Sequence, residues 1–192
     1  MQAPEPPGAA ATLWWRRNRS LLSRFAGLLS WSPRCDVHGR PVVTINVGKH
    51  DPSNRDACLA ALLAVLDAAI AASQTAELTV VFDVRGYGLA NADFKTAKRM
   101  VVALQRGYPE NLGLAVFLGA PTFFGALWKL VRVLIDARTV SKVHFIQHAA
   151  ELDALVGLHA VPEAQGGRNV GIEPHMQLWC DQLLSAEAPA TV

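Results

Sequence analysis

The sequence has little of what usually declares a function. Its three cysteines, Cys35, Cys58 and Cys180, are odd in number, far apart and outside any CxxC pair. That excludes a disulfide framework and suits a reducing, intracellular setting. Charged residues make up 18% of the chain and the formal net charge is +2, too small a positive excess for a nucleic-acid binder. No GxxxxGK[ST] stretch cradles phosphates and no GxSxG elbow presents a nucleophile, which removes two common routes to an α/β enzyme. The histidines, at 38, 50, 144, 148, 159 and 175, show no metal-ligand spacing. His144 and His148 are four apart but straddle an expected strand end, so no metal is expected. The opening MQAPEPPGAAATL carries no positive charge ahead of an apolar run and does not read as a secretory signal. Residues 1–12 read as a disordered leader.

An uninterrupted membrane span is also missing. LGLAVFLGAPTFFGALW (112–128) holds no charge and approaches the ~20 apolar residues a bilayer requires. Gly119-Ala120-Pro121 breaks it, because Pro121 lacks an amide proton and biases residue 120 away from helix. The segment therefore reads as a buried strand at 114–118, a turn, and a helix that starts at Pro121, where proline suits the first turn.

What remains has a regular rhythm. β-Branched or apolar runs at 40–47, 77–84, 114–118 and 141–147 alternate with helical stretches at 55–73, 91–106, 121–135 and 149–157. Strands alternating with helices predict an α/β fold around a largely parallel sheet flanked by helices. The strands are apolar on both faces, as strands covered on both sides should be. A further packing helix is expected at 173–184 and a frayed tail at 186–192. Asp83 ends a strand, where it could serve as a catalytic carboxylate or cap the following turn. Gly86-Tyr87-Gly88-Leu89-Ala90-Asn91 is two thirds of a dinucleotide fingerprint, and a tight turn explains it equally well. No nucleophile, base and orienter assemble, so no enzyme and no cofactor are expected.

The helix at 121–135 is unusually apolar. Phe123, Phe124, Leu127, Trp128, Val131, Leu134 and Ile135 occupy much of its circumference, while Lys129 and Arg132 share one narrow stripe. Periodicity alone leaves open a buried core helix or a cover over an apolar ligand. Upstream, LWWRRNRSLLSRFAGLLSW (13–31) has Trp14, Leu21, Phe25 and Leu28 on one side and Arg16, Arg17, Arg19 and Arg24 among the rest. A basic amphipathic helical segment is expected over 13–34, packed on the domain or lying in a membrane interface.

Four stretches carry a resemblance. DVHGRPVVTINV (36–47), VFDVRGYGLANAD (81–93), the stretch from YPENLGLAVFLGAP through LIDARTVSKVHFI (108–146) and VPEAQGGR (161–168) follow one another as the motifs of the CRAL-TRIO lipid-binding domain family do. The chain resembles that family over 36–168, and a domain over 35–185 is expected. The resemblance implies a sheet that floors an apolar lipid pocket, with 121–135 as a gate helix bearing the seven apolar residues named above. It implies headgroup contacts from Glu110, Thr139 and Lys142, with Lys142 on a phosphate and Thr139 donating a hydrogen bond. Asn111 stands where inositide binders carry arginine, and Leu78 and Val80 stand where choline binders carry hydroxyls. Lys129 and Arg132 would face anionic headgroups at a membrane. Segment 13–34 would be the remnant of a helical lobe.

The expected function is an intracellular, cytoplasmic lipid-binding or lipid-transfer protein. It would hold a phosphatidylinositol-like phospholipid or another small hydrophobic ligand and visit membranes peripherally, without nucleic acid. The alternative is a module of the same fold that binds a protein partner, such as a small-GTPase regulator.

Overall fold

In the computed structural model, which describes residues 25, 27–88 and 92–185, five strands form one sheet in the order β1-β2-β3-β4-β5. These are β1 (Leu29–Cys35), β2 (Pro41–Asn46), β3 (Leu78–Asp83), β4 (Leu112–Leu118) and β5 (Val143–Ile146). β1 runs antiparallel to β2, and every later pair is parallel. The crossovers carry α1 (Arg55–Ala72), α2 (Phe94–Gly107) and the pair α3 (Phe124–Arg132) and α4 (Ala137–Ser141); α5 (Ala149–Leu155) and α6 (Ile172–Ser185) follow the sheet. Each parallel step advances by one strand, so right-handed crossovers place α1, α2 and α3 over the same face.

The two faces pack differently. On one, Val43, Ile45, Leu78 and Val80 meet the Ala/Leu surface of α1 through Ala61, Leu62, Val65 and Leu66, with Met100 and Leu104 of α2 alongside. On the other, Val42, Val81, Leu114, Val116 and Ile146 pack against Leu152 and Val156 and the following Val161. Alternating side chains feed both clusters, which accounts for strands that read as continuous apolar runs. One irregularity matters for the site. Leu78 pairs with Leu112 but Thr79 pairs with Leu114, so Gly113 is an extra residue in β4, a bulge that returns Leu112 to the α1 face. A Cβ on Gly113 would lie 2.5 Å from Cδ of Arg40.

The sheet extends further toward the N-terminus than expected. Residues 29–34, read as the end of a helical segment, are strand β1, and Trp31 sits opposite Val43, 6% exposed. Pairing with β2 and burial of Leu29 and Trp31 outweigh local helical preference there. The rest of 13–34, apart from Phe25 and 27–28, lies outside the described residues, as do 1–12 and 186–192. The apolar helix is also shorter than 121–135 at both ends: it begins at Phe124, after a turn at 121–123, and ends at Arg132, with Leu134 and Ile135 in the turn before α4.

The β1–β2 connection is organised by a buried carboxylate. Asp36 Oδ1 accepts the backbone N–H groups of His38 (2.8 Å) and Arg40 (2.9 Å), and Oδ2 accepts Arg40 Nε (2.9 Å) and the Thr79 hydroxyl (2.6 Å). Burial alone would push this carboxyl up, but the donors from Thr79, Arg40 and His38 outweigh it and hold it below its ordinary value. Asp93, which caps α2, is depressed in the same way: burial opposes bonds from Thr96, Arg55 and His50, and the bonds prevail.

The folded chain therefore binds fewer protons than the unfolded one just below the unfolded carboxylate pKa of about 4. The stability these groups contribute is complete above that pH and is lost as the pH falls through their depressed folded values. Asp36→Asn should lower unfolding free energy by about 3 kcal/mol at neutral pH, measured by urea titration. The gap between variant and parent should narrow as the pH drops below about 4; a constant gap would show that Asp36 does not supply this linkage.

Candidate functional site

The α1 face of the sheet is not filled along its whole width. Between it and α3 lies a cavity of about 440 Å³, floored by Ile45, Leu78, Val80, Phe82, Leu112, Ala115, Phe117 and Val143. Its walls are Leu62 and Leu66 of α1 and Met100, Val101 and Leu104 of α2; Trp128, Val131 and Ile135 close it from above. Phe117 is the aromatic hub at one end. Its ring stacks on Phe82 at 4.6 Å and on Phe145 at 5.1 Å, and Trp128 sits 5.8 Å away.

α3 spans this space because its two ends are held. At its start, Phe124 is buried in a small cluster with Val84 and Tyr87, with Leu127 and Trp128 against it. Just past its end, Gln105 Nε2 donates to the Leu134 carbonyl (2.9 Å), tying α3 to α2. Of the seven apolar residues expected to face the pocket, Trp128, Val131 and Ile135 line it. Phe124 and Leu127 instead anchor the helix, Leu134 supplies a backbone acceptor, and Phe123 stacks on Tyr87 at 5.9 Å while remaining 46% exposed. The outer side of α3 and the turn after it expose Lys129 and Arg132 beside Leu130 (56% exposed) and Val133 (79%).

The polar mouth collects Glu110, Thr139 and Lys142, the three residues expected to meet a headgroup. Their states differ from the expectation in one respect. The Thr139 hydroxyl donates to Asp136 Oδ2 (2.7 Å) and its backbone N–H to Asp136 Oδ1 (2.8 Å), so that hydroxyl proton is engaged within the α4 cap. The Thr139 bonds, backbone first, hold the Asp136 carboxyl below its ordinary value. Lys142 Nζ donates to the Leu112 carbonyl, and among the described residues no carboxylate lies within ion-pair distance of it. Glu110 Oε2 pairs with Arg138 Nη1 at 2.7 Å, both side chains well exposed. Glu110 also holds φ +68°, a left-handed conformation that a side chain disfavours. Asn111 donates to the Ala76 carbonyl (2.6 Å), while Leu78 and Val80 serve as floor.

Sequence reading missed Gln105, Asp136 and Arg138. The spacing Asp136-x-x-Thr139 is a capping signal that identifies Asp136; nothing local marks the other two. The Tyr108 that opens the motif around Glu110 is fixed from below, its hydroxyl donating to Asp67 Oδ1 (2.5 Å); burial, with Asp67 adding to it, raises its pKa well above the ordinary value.

Of the alternative sites, residues 89–91 of the glycine-containing stretch lie outside the described residues. Asp83 accepts the Arg85 backbone N–H (3.1 Å) and the Arg85 guanidinium (2.8 Å), the turn-capping role. Gly86, at φ +71°, lies in the turn that follows. Among the described residues no three His, Cys, Asp or Glu side chains are placed to hold a metal, and no helix is long and apolar enough to cross a membrane.

Comparison with known proteins agrees with this geometry. The chain is 25% identical over 138 residues to the phosphatidylinositol transfer protein CSR1 of Eremothecium gossypii, covering 70% of this chain and 32% of that protein. It is 33% identical over 95 residues to the phosphatidylinositol/phosphatidylcholine transfer protein SFH4 of Arabidopsis thaliana, covering 46% of this chain and 16% of that one. The chain thus spans about a third or less of the length of these curated relatives. Among solved structures, that of Sfh5 superposes with a TM-score of 0.59 at 19% identity, covering 76% of this chain and 59% of that one, a likeness of fold. The CRAL/TRIO domain model matches residues 26–167, from the approach to β1 through the loop after α5, and the chain belongs to that family.

Proposed function

We propose that this chain is a lipid carrier: it holds the apolar tail of an amphipathic lipid in the cavity beneath α3, keeps the head at the mouth, and exchanges it at a membrane surface. The observation that carries this reading is the 440 Å³ apolar cavity with its polar groups confined to one end. Each methylene removed from water contributes about 0.8 kcal/mol, so a long tail binds strongly from water. Transfer from a bilayer is far closer to neutral, and exchange needs no energy source.

Head recognition falls to Lys142, Glu110 and Arg138. With Thr139 engaged by Asp136 and Asn111 by Ala76, the set of contacts expected for an inositol phospholipid is incomplete. Phosphate or carboxylate recognition by Lys142 stands on its own. The exposed side of α3 supplies the membrane contact, with Lys129 and Arg132 beside Leu130 and Val133, an arrangement of cations and apolar side chains that favours an anionic surface.

Native mass spectrometry of freshly purified protein should find one lipid per chain; a chain that never carries lipid would refute the proposal. Lys142→Ala removes a charge-assisted bond of about 1.5–3 kcal/mol, so affinity for the co-purified lipid should fall tenfold or more. Replacing both Lys129 and Arg132 by Ala removes about 2 kcal/mol of surface attraction, and co-sedimentation with phosphatidylserine vesicles should weaken about 30-fold while lipid affinity in solution stays unchanged. Glu110→Gly relieves the left-handed backbone and should stabilise the fold by about 0.5 kcal/mol or more in urea unfolding. An Ala at the same position should not.

A further inference from the structure

We propose that the cargo of the cavity beneath α3 is a single-chain anionic amphiphile, a fatty acid or a lysophospholipid, and not a two-chain phospholipid. The inference rests on the carrier reading and narrows its ligand. The cover is held by contacts at both ends: Phe124 buried beside Val84 and Tyr87, the Gln105–Leu134 bond (2.9 Å), and the Arg138–Glu110 pair (2.7 Å) at the mouth, so the volume beneath it bounds the tail it can shelter from water.

That volume suits one chain. An apolar cavity of about 150 Å³ takes one benzene, roughly 25 Å³ per carbon. On this scale the 440 Å³ space accommodates roughly 18 carbons. One full-length acyl chain has about that many, and two chains need about double. The floor runs from Ile45 on β2 to Val143 on β5, three inter-strand gaps or about 14 Å, and along β4 from Leu112 to Phe117.

The mouth supplies the anion partners. Lys142 Nζ rests on a neutral acceptor, the Leu112 carbonyl. Among the described residues the Arg138 guanidinium pairs with Glu110, both side chains exposed, a pair that water screens and a competing anion can displace. A carboxylate or phosphate head takes over the planar guanidinium through parallel N–H···O bonds. Asp136, the other anion at the mouth, has each oxygen occupied by Thr139. Fatty acids and lysophospholipids share this chemistry, one tail and one oxyanion.

Trp128 lines the cavity and reports occupancy, because a brominated tail quenches a tryptophan it touches. The chain holds five tryptophans, so the quenching lost in Trp128→Phe, compared with the parent at saturating probe, isolates the signal. The probes are dibrominated stearic acid, a lysophosphatidate with a dibrominated chain, the matching brominated long-chain alcohol, and vesicles of dibrominated phosphatidylcholine or phosphatidylinositol.

The expected result is quenching of Trp128 by one or both single-chain anions at one per chain, with the responding head group naming the source. Joint replacement of Arg138 and Lys142 by Gln should weaken those anions tenfold or more and leave the alcohol unaffected, which also certifies the variant's fold. Uptake of a two-chain phospholipid at one per chain overturns the single-chain assignment and leaves the carrier reading standing. Undiminished anion affinity in the double variant overturns the anionic assignment. Absence of quenching by every probe overturns the carrier reading as well.

Discussion

The structure turns on how α3 is held. Phe124 is sunk beside Val84 and Tyr87 at one end and Gln105 grips the Leu134 carbonyl at the other, so the helix meets the sheet through Phe124 and Trp128 on Phe117 and Phe145 and stands over the cavity beyond them. The opposite face of the same sheet shows the filled alternative: Leu152, Val156 and Val161 press on Val42, Val81 and Val116, all fully buried. Filling an apolar space of 440 Å³ with side chains would be worth on the order of 10 kcal/mol, comparable with the whole stability of an ordinary domain. A sequence that forgoes that much packing on one face needs the other face solid.

Buried polar groups complete the solid side. Asp36 joins the β1–β2 turn to Thr79 in β3, and the Ser32 hydroxyl accepts from Asn169 at 3.0 Å. Asp83 gathers Arg85 and the Gln165 amide at the strand end, while Arg85 reaches the Ala164 carbonyl. The Ser32, Asp83 and Arg85 bonds tie β1 and the end of β3 to the segment after α5. Each is saturated enough that removing one partner strands another, so they specify one arrangement of β1, β2 and β3. The mouth is built differently: its ion pair is exposed and exchangeable.

Much of this was legible because local and global signals agree. Val42, Val43, Val80 and Val81 are apolar at consecutive positions, which only a strand covered twice requires, and Pro121 could not continue a span begun in β4. β1 was obscured by competition: Phe25 and Leu28 continue a helical spacing, and it masked the alternation Leu29-Ser30-Trp31-Ser32 that the sheet uses. The motif around Thr139 named the right residue type, but not where its proton goes; that depends on the Asp136 cap, which engages the hydroxyl. Gln105 and Arg138 look like solvated side chains because their partners, at 134 and 110, lie 29 and 28 positions away, and polar surface residues carry no period that predicts such meetings.

The balance of charge at the mouth bears on release. Glu110 and Asp136 offset Arg138 and Lys142 among the lining residues, so no net field draws an anion in from water. In the proposed cycle a head must exchange places with Glu110 on Arg138, and the reverse exchange expels it. Both partners are exposed, so each swap passes between weakly held pairs. An anionic bilayer, which attracts Lys129 and Arg132, also presents head groups that compete for Arg138. In that proposed cycle the surface that recruits the chain would be the one that loosens its grip on the head, while the tail would move between two apolar media at little cost. Directional transport would need unequal lipid supplies on the two membranes, because nothing in the mouth distinguishes loading from unloading.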